Sequence, residues 1–126
     1  MNLLKEKTGS TPLVLIDESN NYMYFEGESF HENVLEFYTD IYKWASAYLK
    51  TEFKNFTFDC ELKYFNSSTA KFLLNLLLDM DESNNAKNIT VNWITTKDNS
   101  IIIEAGEDFR DELENLTFNF VYRQLS

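Results

Sequence analysis

Short apolar runs separated by polar clusters divide the chain into eight elements. Leu13-Val14-Leu15-Ile16 and Tyr22-Met23-Tyr24-Phe25 flank Asp17-Glu18-Ser19-Asn20-Asn21, the pattern of two strands joined by a polar turn. Ser29-Phe30-His31-Glu32 fits a capping box, with Ser29 as N-cap and Glu32 three residues on. The helix that this box predicts runs to about Leu49 and places Val34, Phe37, Tyr38, Ile41, Trp44, Ala45 and Tyr48 on one face.

Residues 55–83 contain the most informative pattern. Phe56, Phe58, Cys60 and Leu62 alternate with polar residues, which predicts a strand. Asn66-Ser67-Ser68-Thr69 follows, and then a helix so apolar that Lys71, Asn75 and Asp79 form its one polar stripe. Counting back one turn from Lys71 puts Ser67 at the head of that stripe. Ile89–Thr95 alternates again and predicts a strand. Residues 100–115 are ambiguous: Ile101-Ile102-Ile103 has strand propensity, whereas Ile102, Ala105, Phe109 and Leu113 have helical spacing. The reading is a helix over about 101–113, weakened near Gly106, followed by a last strand over 117–122.

The order β-β-α-β-α-β-α-β predicts an α/β fold. Its βαβ units imply parallel neighbours and its N-terminal hairpin an antiparallel pair, so a mixed β-sheet covered by helices is expected. The length of 126 residues suits a single domain, 1–126, with residues 1–10 expected to be a polar, frayed end.

Composition narrows the function. Eleven Lys and Arg stand against 21 Asp and Glu, a net charge of −10 that repels nucleic-acid backbones and anionic lipid, and so directs attention to protein partners. No apolar run reaches membrane-spanning length and the first residues lack the apolar core of a signal peptide, which predicts a cytoplasmic protein without membrane insertion.

No catalytic, metal or cofactor group stands out. His31 is the one histidine and falls in a first helical turn; Cys60 lies on an apolar strand face as a buried thiol would. Asp79-x-Asp81 begins like a calcium loop but lacks its glycine and distal glutamate, so both carboxylates are expected to be exposed at a helix end. Glu104, Glu107 and Asp108 suit a solvated face. Asn66-Ser67-Ser68-Thr69 remains, with two compatible roles. It is a helix N-cap, and it is a place where a phosphoryl group would meet free N–H groups and the positive end of the helix dipole, with Lys71 one turn away.

Strand, Asn-Ser-Ser and apolar helix together resemble the phosphorylated segment of STAS-type anti-sigma-factor antagonists. A wider set of motifs is similar to the SiaC family of bacterial regulatory phosphoproteins. These are Thr11-Pro12, Gly27-x-Ser29, Glu32-Asn33, Tyr64-Phe65-Asn66-Ser67-Ser68-Thr69-x-Lys71, Val91-x-Trp93 and Gly106-Glu107-Asp108-Phe109. The resemblance implies a STAS-like fold and a non-enzymatic switch that, unphosphorylated, binds and activates a diguanylate cyclase. It also implies a serine/threonine protein kinase and a PP2C-like phosphatase as partners, and no cofactor. Carried over by motif, the acceptor is Ser67, with Ser68 and Thr69 in reserve; with the exposed helix stripe, Asn66, Ser67, Ser68, Lys71, Asn75 and Asp79 are then expected to form the partner-binding surface. The chain departs from the family in having Ser67-Ser68-Thr69 where Thr-Ser is usual, and His31 where Pro is usual. The alternative is an antagonist that binds an anti-sigma partner without a cyclase.

Overall fold

The computed structural model describes residues 2–124. Its six strands form one mixed sheet, ordered in space as in sequence. β1 (Asn2–Lys5), β2 (Leu13–Asp17) and β3 (Tyr22–Ser29) pair antiparallel; β4 (Phe56–Phe65), β5 (Ile89–Thr96) and β6 (Thr117–Arg123) continue from β3 in parallel. The crossovers are α1 (Val34–Tyr48), α2 (Ser67–Glu82) and α3 (Ser100–Asp111). The expected order therefore holds from Leu13 to Arg123, with one strand added in front.

That strand corrects the expectation of a frayed end. Leu3 packs against the core, and Lys5 Nζ reaches the Phe37 carbonyl at 3.2 Å and the Asp40 carboxylate at 3.2 Å. Four residues are too few to show a period, and a lysine on an edge strand reads as polar chain rather than as sheet.

Right-handed crossovers that always step to the next strand put every helix on the same face. That face holds the core: Val14, Ile16, Met23, Phe25, Phe56, Phe58, Cys60, Val91 and Trp93 are buried with the inner sides of α1, α2 and α3. The sheet is thus covered by helices on one face. The other carries a polar lattice, in which Tyr22 donates to Asp59, Tyr24 to Glu61, Asn92 to Asp59, and Arg123 to Glu61.

Two predicted helix starts resolve differently. Helical spacing wins over β-propensity at residues 100–111, where Asn99 caps α3 by accepting the Ile102 amide. Gly106, which weakens the helix in isolation, is where α3 touches the sheet. A Cβ there would stand 2.5 Å from the Trp93 ring and 2.8 Å from Phe120, so only glycine permits this approach. The capping box at Ser29 and Glu32, by contrast, is not used. Ser29 ends β3, paired with Phe65, and α1 begins five residues later, after Asn33. His31 accordingly lies before α1 rather than within it, exposed, with its Nδ1 accepting the Asn33 amide.

Candidate functional site: the start of the second helix

β4 delivers the chain to the site through a change of phase. Up to Leu62 its apolar residues face the core, and Gly27 of β3 lies opposite Leu62; beyond a bulge, Glu28 lies opposite Tyr64 and Ser29 opposite Phe65. Lys63 is the extra residue, and its carbonyl accepts the Asn99 side-chain amide at 3.1 Å. Simple alternation would send Tyr64 inward. The bulge instead leaves Tyr64 exposed, edge-on to the exposed ring of Phe30, and turns Phe65 toward Trp93 and Phe109. Gly27, with φ +119, takes the backbone shape that the opposite strand needs, while the stem of Lys7 covers it.

α2 then begins. Asn66 is its N-cap: Oδ1 accepts the Thr69 amide at 2.9 Å and the carbonyl accepts the Ala70 amide at 3.0 Å. The three hydroxyls of the tetrad have different fates. Ser67 and Ser68 are exposed; Thr69 is fully buried, its hydroxyl donating to the Ser29 carbonyl at 3.0 Å. A kinase could reach Thr69 only by opening the helix, so the structure removes it from the reserve acceptors. No acidic residue lies in the first turn of α2. The amides of Ser67 and Ser68 point out of the helix end, where an anion is favoured.

The predicted stripe is present. Ser67, Lys71 and Asn75 are exposed along one line of α2, and half-buried Asp79 accepts a hydrogen bond from the Tyr42 hydroxyl of α1. That bond, with partial burial, raises the Tyr42 pKa. Asn75 also borders a groove of about 370 Å³ between α1 and α2, walled by Leu35, Thr39 and Tyr42 and floored by Tyr38 and Phe72.

Asp81 corrects the expectation that both helix-end carboxylates are exposed. It is buried, and its carboxylate accepts the amides of Glu114 at 3.0 Å, Asn115 at 2.7 Å and Leu116 at 2.9 Å. Burial alone would raise its pKa, but these backbone donors outweigh burial and hold the carboxyl below its ordinary value. Cys60 is a buried thiol as expected, its pKa pushed up by burial. Among the described residues no group of His, Cys, Asp or Glu could hold a metal ion.

Sequence reasoning passed over Ser29 and Tyr38, which meet the site from β3 and α1. Ser29 Oγ lies 2.8 Å from the Tyr38 hydroxyl and 2.8 Å from Thr69 Oγ1. The Gly27-x-Ser29 motif was the available signal, but the capping-box reading had already assigned the serine elsewhere.

A small α/β protein that offers two serines at a neutral, acid-free helix start is built as a regulatory phosphoprotein would be. The chain belongs to the SiaC family of regulatory phosphoproteins, whose family model matches residues 5–123. A protein of Pseudomonas aeruginosa (strain UCBPP-PA14) is 24% identical over 106 residues, covering 83% of this chain and 84% of the relative. Two solved structures share the fold. Apo-SiaC from P. aeruginosa matches with a TM-score of 0.85 at 23% identity, over 96% of this chain and 98% of that one. P. aeruginosa SiaC in complex with the diguanylate cyclase SiaD, which it activates, matches with a TM-score of 0.88 at 23% identity, over 96% and 99%.

Proposed function

We propose that this protein is a single-domain phospho-switch whose unphosphorylated form binds and activates a diguanylate cyclase, and whose phosphorylation on Ser67 ends that binding. The observation that carries the reading is the position of Ser67: exposed, at the N-terminus of α2, heading a stripe formed with Lys71 and Asn75. Membership of a regulatory phosphoprotein family supports a switch. The solved complex of a structural relative with a cyclase supports that partner over an anti-sigma factor.

The chemistry follows from charge. A phosphoryl group adds about −1.5 to −2 charge at neutral pH. On Ser67 it would be held by first-turn amides and by Lys71, so α2 tolerates it. A protein seated on Asn66, Ser67, Ser68, Lys71, Asn75 and Asp79 would instead face a hydrated dianion at its interface, and would be displaced by repulsion and desolvation. A serine/threonine kinase and a PP2C-like phosphatase set the state. Ser68, also exposed, is the reserve acceptor. Such a switch works in the cytoplasm, consistent with the absence, among the described residues, of any helix long and apolar enough to cross a membrane.

Intact-mass measurement after kinase treatment tests the acceptor. One phosphate is expected on the wild-type chain and none on Ser67→Ala; an unchanged stoichiometry in the variant removes Ser67 from the role. Binding and cyclic-di-GMP synthesis with the purified cyclase test the output. Ser67→Ala is expected to activate as wild type does, and the phosphorylated chain to fail.

A further inference from the structure

We propose that Tyr38, Ser29 and Thr69 are positioning residues that hold Ser67 and Ser68 in place for phosphoryl transfer. The inference rests on the reading of Ser67 as acceptor. Its basis is a buried chain of hydroxyls whose direction follows from counting protons.

Thr69 has one hydroxyl proton, and a carbonyl oxygen can only accept, so that proton is donated to the Ser29 carbonyl at 3.0 Å. In its 2.8 Å contact with Ser29 Oγ, Thr69 must then be the acceptor and Ser29 the donor. Ser29, its proton used, accepts from the Tyr38 hydroxyl at 2.8 Å. The chain thus runs one way, from the Tyr38 hydroxyl to Ser29 Oγ to Thr69 Oγ1 to the Ser29 carbonyl. All three residues are buried, at 1%, 2% and 0% exposure, so water does not substitute for any link. Aligned hydroxyls in such surroundings strengthen one another.

The chain grips both feet of the acceptor turn. The Ser29 carbonyl accepts the Asn66 amide at 3.1 Å as well as the Thr69 hydroxyl, and Thr69 returns its amide to Asn66 Oδ1. Ser67 and Ser68 are the two residues between these anchors. They form a short arch, exposed at its crown and tied at each end to one residue of β3. Tyr38 fixes that residue from α1, with its ring stacked on Phe72 of α2 at 4.0 Å between centroids.

A kinase acting on this arch meets a folded acceptor, whose hydroxyl must already lie in line for attack on the γ-phosphate. Loosening one foot lets the arch sample other positions. Misplacement of a reacting group by about 1 Å lowers the chemical step by up to about 100-fold. A loss in kcat with KM retained is the signature of positioning, since the exposed docking surface is untouched.

The test is steady-state phosphorylation, by the kinase activity that modifies the wild-type chain, of wild type, Thr69→Val, Thr69→Ser and Tyr38→Phe. Phosphosite mapping and a melting curve accompany each variant. Thr69→Val keeps the shape of the side chain and Tyr38→Phe keeps the ring stack, so Tyr38→Phe serves should Thr69→Val fail to fold. The expected result is a fall in kcat of about tenfold for both at unchanged KM, with Thr69→Ser within about twofold of wild type. Wild-type kcat in the folded Thr69→Val or Tyr38→Phe variants overturns the proposal. So does a loss confined to KM, or a Thr69→Ser variant as slow as Thr69→Val. Phosphate mapped in wild type to a residue outside the arch overturns the acceptor reading itself, which separates the two failures.

Discussion

The two ends of α2 solve the same problem with opposite chemistry. At its start, amides are met by neutral groups, the Thr69 amide by Asn66 Oδ1 and the Asn66 amide by the Ser29 carbonyl, and the first turn holds no acid. At its end, Asp79, Asp81 and Glu82 crowd a last turn without a basic residue, against the sense of the helix dipole. Buried Asp81 overcomes that disadvantage by accepting three consecutive amides of the chain entering β6. Fixed negative charge is thus spent on architecture at one end and withheld at the other. The withheld end is where added charge would still find unanswered N–H groups, which is what a reversible modification requires.

Breaking the charged end should cost most. Asp81→Ala leaves three amides without their acceptor and is expected to destabilise the fold by about 3 kcal/mol, read from urea unfolding. The same end makes stability depend on pH. The folded pKa of Asp81 lies below its unfolded value of about 3.9. Its contribution is therefore fully present above that value and is lost as pH falls through the folded one. Asp81→Asn should flatten the acid limb of the urea midpoint relative to wild type; parallel limbs would show that the carboxylate contributes no titrating stability.

The neutral end should respond more gently. Thr69→Val is expected to cost about 1.5 kcal/mol, because the Ser29 hydroxyl loses its acceptor while the Ser29 carbonyl keeps the Asn66 amide. Asn66→Ala should cost about 1 kcal/mol, the usual value of an N-cap. Ser67→Ala, at an exposed position whose side chain makes no hydrogen bond among the described residues, should lie within about 0.5 kcal/mol of wild type. With the opposite sign, phosphate on Ser67 should raise stability by about 0.3–1 kcal/mol through the dipole. A phosphorylated chain that melts well below the unmodified one would contradict a switch that acts at its surface.

The comparison also marks what could be read from residues alone. The boundaries of α2 and its wet stripe were legible, because an apolar run between Asn66 and Ser83 leaves few alternatives. Asp81 was misjudged as one exposed acid among several. Its spacing, four residues beyond buried Leu77, was a usable sign that it faced inward. The Ser29 cap satisfied a local rule and was overridden by a tertiary one, since pairing with Phe65 and bonding to Tyr38 hold that serine in the sheet. The hydroxyl chain itself joins residues 9 and 40 positions apart, a relation no local pattern carries. The strand β1 was hidden by its brevity, and α3 was recovered because helical spacing outweighed the isoleucine run.

The extra residue in β4 has a consequence for how this surface can vary. Before Lys63 every second residue of β4, through Leu62, faces the core; after it Tyr64 faces solvent and Phe65 faces the core. Deleting that one lysine would close the bulge and keep Tyr64 opposite Glu28 and Phe65 opposite Ser29, in a ladder without the extra strand step of about 3.3 Å. Straightening Lys63 into the ladder opposite Glu28 would do the reverse: Tyr64 would turn toward the interior, Phe65 toward water, and the serine arch would slide off the backbone group that holds its feet. The extra residue can be lost without turning its neighbours over, but it cannot be drawn into the strand.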